Sequence, residues 1–90
     1  MIRSDRHRLR VVIQRIEAEA GTIWRIVAYG DGRAVGHEDF PSSERVLNAL
    51  RMAVPDFDEA RLLPAESGSS ILFAEEMELD EAQLAVLGVR

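Results

Sequence analysis

Apolar and polar residues alternate from Leu9 to Ile16. Leu9, Val11 and Ile13 fall on one side and Arg8, Arg10, Val12 and Gln14 on the other. This period of two, with β-branched enrichment, predicts a strand with an apolar face. Glu17-Ala-Glu-Ala-Gly21 interrupts the alternation and predicts a turn. A second strand follows over Ile23 to Tyr29, with Trp24, Ile26 and Ala28 opposed to Ile23, Arg25, Val27 and Tyr29. Gly30-Asp31-Gly32 then predicts a hairpin, because Asp-Gly tolerates the positive φ of a type I′ turn. Arg33 to Glu38 completes a short third strand.

The period changes after Phe40-Pro41-Ser42-Ser43-Glu44. Ser42 can cap a helix whose first turn carries Glu44, and Val46, Leu50 and Ala53 with Leu47 and Val54 form its apolar stripe. Pro55 stops it, since a residue before proline resists the α region. The spacing of Asp56 and Glu59 predicts a short second helical piece to about Leu63, capped at Asp56. Pro64 to Ser70 reads as a loop and Ile71 to Glu78 as a strand whose acidic half marks a sheet edge. Asp80 and Gln83 have capping-box spacing, Leu79 and Leu84 suit a hydrophobic staple, and Gly88 ends the helix they open. The predicted order is β-β-β-α-(α)-β-α, an α+β domain with an antiparallel three- to four-stranded sheet packed by helices on one face.

Composition narrows the class. Ninety residues predict one domain that buries only about 60–65% of its unfolded surface. The absence of Cys excludes disulfides and Cys-based zinc sites. The apolar run near the start is too short for a signal-peptide core, and no run reaches membrane-spanning length, so a cytoplasmic protein without membrane association is expected. All eleven basic residues are Arg, which with abundant Ala and Val points to a GC-rich bacterial genome. Charge is uneven: residues 1–15 hold five Arg and one Asp, whereas residues 56–81 hold nine acids and one Arg. The net charge of −5 and a pI near 4.9 argue against nucleic acid as the main partner.

The stretch from Ile23 to Ala53 resembles the YegP-like family of small bacterial proteins of unknown function. The resemblance is carried by Trp24-Arg25, the Asp31-Gly32 turn, Glu38 and Phe40 at the strand end, the Ser42 cap and Asn48-Ala49-Leu50 in the helix. His37, Asp39 and Ala49 depart from the family pattern, and residues 56–90 do not repeat the unit. The resemblance implies a three-stranded sheet with one helix, often paired or duplicated, and supplies no catalytic residue.

Few residues read as chemical. His37, Glu38 and Asp39 cluster, but in a strand His37 and Asp39 share a face that Glu38 does not, so the three cannot chelate together. Glu75, Glu76, Glu78, Asp80 and Glu81 lack the spacing of a calcium loop and suit a solvated edge. The serines fall at a cap or in a loop without a nucleophile elbow, and no Gly-rich loop is followed by Lys. No enzyme, metal or cofactor is expected. The expected function lies on the sheet face away from the helices. Val12, Ile23, Val27 and Tyr29 would leave an apolar patch there, the mark of a homodimer or of a contact with another protein. The basic start and acidic end would suit a self-complementary pairing. Residues 71–88 could instead fold over this face within one chain. The alternative is nucleic-acid binding through Arg8, Arg10 and Arg25 on the same face.

Overall fold

The computed structural model describes residues 6–64 and 67–89. The first five residues of the basic start, and residues 65 and 66 of the predicted loop, lie outside them. The chain runs β1 (Arg6–Ala18), β2 (Gly21–Gly30), β3 (Arg33–Phe40), α1 (Ser43–Ala53), a 3₁₀ turn (Glu59–Arg61), β4 (Ile71–Asp80) and α2 (Glu81–Leu87). The strands form one antiparallel sheet in the order β3-β2-β1-β4, which makes an α+β fold. Asp31 and Gly32 both have positive φ, 53° and 78°, as a type I′ turn requires, and Gly30 pairs with Arg33 across it.

Each strand is longer than the apolar pattern predicts. β1 begins at Arg6 because its polar start pairs with the acidic end of β4. Arg8 lies opposite Glu78 and Arg10 opposite Glu76, and Arg8 reaches diagonally to Glu76 at 3.2 Å. The uneven charge of the chain is thereby matched between neighbouring strands of one sheet. Among the described residues, β1 and β4 thus do not form two separate surfaces of opposite sign. β3 runs on to Phe40, held opposite Trp24.

The helical layer covers one face only. Leu9, Val11, Ile13, Ile26, Ala28 and Phe73 from the sheet pack with Val46, Ala49, Leu50 and Ala53 of α1 and with Leu87 and Val89 at the end of α2. Ser42 accepts a hydrogen bond from the Arg45 N–H and opens α1. Asp80 and Gln83 form the predicted capping box, and Gly88 closes α2 at φ 79°. The predicted helical piece from Asp56 to Leu63 is only the 3₁₀ turn, capped by Asp58 and not by Asp56. Tertiary contacts divert the chain on both sides of it. Phe57 meets Phe73 edge to face at 5.4 Å, and the Leu63 N–H donates to the Leu72 carbonyl at 2.9 Å along the β4 edge.

Candidate functional site

The strand register determines what the second face carries. Across β1 and β2 the outward pairs are Arg10–Tyr29, Val12–Val27, Gln14–Arg25 and Ile16–Ile23. β4 adds Ala74 beside Val12 and Glu76 beside Arg10, while β3 adds His37 beside Val27 and Asp39 beside Arg25. Every site residue expected from the sequence therefore lies on one face: Val12, Ile23, Val27 and Tyr29, together with Arg8, Arg10 and Arg25.

Residues 71–88 do not cover this face. β4 joins the sheet edge, and α2 packs against α1 and the inner core. Among the described residues no helix or loop lies over the outward side. Its apolar centre is nonetheless less open than the sequence pattern implies. Val12 and Val27 are each only 6% exposed, although neither belongs to the helix-side core. Each sits between two cross-strand neighbours, and close strand spacing lets the surrounding side chains close over them. Ile23 and Tyr29 are half-buried, as is Ile16, whereas Ile71 is exposed. Ile16 and Ile71 are parts of the surface that sequence reasoning missed. Continuing the alternation of β1 by one step would have found Ile16. The bulge between Ile13 and Gln14, where β4 changes register, hid Ile71.

A groove of about 770 Å³ runs over this face, with Val12 and Ala74 among the residues lining it and with Arg8, Arg10, Tyr29 and Ile71 beside them. Within the groove Arg8 is paired with Glu76, and a second ion pair lies beside it on the same face. Arg25 makes a two-pronged contact with Asp39, Nε to Oδ1 at 2.6 Å and Nη2 to Oδ2 at 3.0 Å. That hydrogen bond holds the Asp39 carboxyl below the usual carboxylate range, against an opposing effect of burial, and raises Arg25 further. Arg8 is raised in the same way by Glu76. Of the three Arg proposed for nucleic acid, only Arg10 has no ion pair among the described residues.

His37 and Asp39 share the outward face, whereas Glu38 points inward and lies against Gly88. His7 lies on the opposite side with Glu81, lining a groove of about 530 Å³ beside Leu9, Leu84 and Val89. The two histidines thus do not converge, and no group of three or more metal-ligating side chains occurs among the described residues. No helix among them is long and apolar enough to cross a membrane. No family model, curated protein or solved structure matches this chain.

Proposed function

We propose that this protein is a non-enzymatic interaction module whose working surface is the uncovered sheet face. One observation carries the reading: a whole face of the sheet, apolar at its centre, has no described element packed on it. Helix-on-sheet folds bury one sheet face and leave the other polar and solvated when it has no partner. Here Val12, Ile16, Ile23, Val27, Tyr29 and Ile71 occupy outward positions instead, and the Arg–carboxylate pairs around them lower the cost of bringing a neutral surface close. The charged side chains suited to nucleic acid are largely committed to those pairs. Membership of the YegP-like family remains part of this proposal, resting on Trp24-Arg25, Asp31-Gly32 and the Ser42 cap.

Backbone NMR shifts followed as the protein is concentrated test the surface. The reading predicts that the changes gather at Val12, Ile23, Val27 and Tyr29. Changes clustered on α1 and α2 would contradict it.

A further inference from the structure

We infer that the occupant of the uncovered face is a second copy of this chain, packed sheet to sheet about a twofold axis that runs along the strands between β1 and β2. The inference rests on the interaction-module reading and names its partner.

Charge points first to a second copy. The chain carries a net charge of −5, so two copies repel over most approaches. The outward strand positions are an exception, because Arg8, Arg10 and Arg25 are balanced there by Asp39, Glu76 and Glu78. A strongly acidic or basic partner gains little from such a surface, whereas a like-charged copy can approach through it.

The register then selects the axis. A twofold between β1 and β2 places each outward cross-strand pair over its own counterpart, as an isologous interface demands. Val12 of one copy faces the partner's Val27, and Ile16 faces the partner's Ile23. Arg10, which has no ion pair among the described residues, falls over the partner's Tyr29 ring, and Arg25 over the partner's Gln14. No like charges oppose one another. A twofold across the strands at Val12 would instead set Arg8 over the partner's Ile16. Aligned packing of two sheets at about 10 Å accommodates the first arrangement.

The area is adequate. Four strands about 4.8 Å apart and about ten residues long give a face of roughly 600 Å² in projection, and side-chain relief increases the contact area. A standard interface takes about 800 Å² from each partner.

Analytical ultracentrifugation of the full chain tests this, with Arg10→Ala, Ile23→Thr and a control, Arg45→Ala on α1. The expected result is a wild-type dimer of twice 10.1 kDa. Each face variant should weaken it about fivefold or more, since every lost contact occurs twice, with circular dichroism unchanged and the control unaffected. A monomer at every concentration overturns the second-copy inference while leaving the face open to a different protein. A dimer that neither face variant weakens overturns both the inference and the interaction-face reading.

Discussion

Gly88 combines two demands that no other residue meets. Its φ is 79°, and a Cβ placed there would lie 2.7 Å from Cγ of Glu38, a side chain on a strand that cannot easily withdraw. Gly88→Ala is therefore expected to destabilise the fold by about 1–3 kcal/mol in denaturant unfolding. Removing the Glu38 side chain in the same protein should restore the part due to the clash and leave the backbone strain. The glycine stop was legible in the sequence, but its contact with Glu38 was not, because it depends on where α2 lands over β3. The Arg25–Asp39 pair shows the same division. Alternation placed His37 and Asp39 on one face, but only the register brought Arg25 to the carboxylate. Asp39 ionises more readily in the folded chain than in the unfolded one. Its contribution is present above the unfolded value and is lost as pH falls through the lower folded value, in the acid range below about pH 4. The stability difference between wild type and Asp39→Asn should shrink across that window in acid-titrated melts. It should be small throughout, since both side chains are more than a third exposed or nearly so.

At the scale of elements, the caps were the most legible features because they are local. Ser42, Asp80, Gln83 and Gly88 all act as their spacing implies. Gln83 does more than its spacing implies, since its Nε2 also donates to the Ala53 carbonyl at 3.0 Å and ties the end of α1 to the start of α2. Gln83→Ala should cost about 1–3 kcal/mol in chemical denaturation, more than an isolated cap, because it removes two hydrogen bonds. Leu50 is fully buried between α1 and the sheet, and Leu50→Ala should cost about 2–5 kcal/mol. The segment after α1 was misread because its outcome is tertiary. The capping-box spacing competed with the burial of Phe57 and Leu62 against the core, and the chain kept only one 3₁₀ turn. The strand ends were missed for a related reason. Arg6 to Arg8 have no apolar signal and become a strand only because β4 offers its acidic end.

For the whole molecule, alternation fixed which residues share a face but could not fix strand order. β4 could equally have crossed the outward side, and its place beside β1 leaves that face without a covering element among the described residues. The opposite charges of β1 and β4 were the available clue to their pairing. A chain of ninety residues has little surplus burial, and Ile16, Ile23, Tyr29 and Ile71 around the closed Val12–Val27 centre keep apolar area that a second molecule would bury. Self-pairing adds burial without lengthening the chain and makes melting depend on concentration by mass action. The melting temperature should accordingly rise as protein concentration is increased, and Arg10→Ala should flatten that dependence. The solution mass of the unmodified chain at micromolar concentration, measured by light scattering, tests the central claim most directly. Pairing through the uncovered sheet face predicts twice 10.1 kDa, and a mass of 10.1 kDa would contradict it.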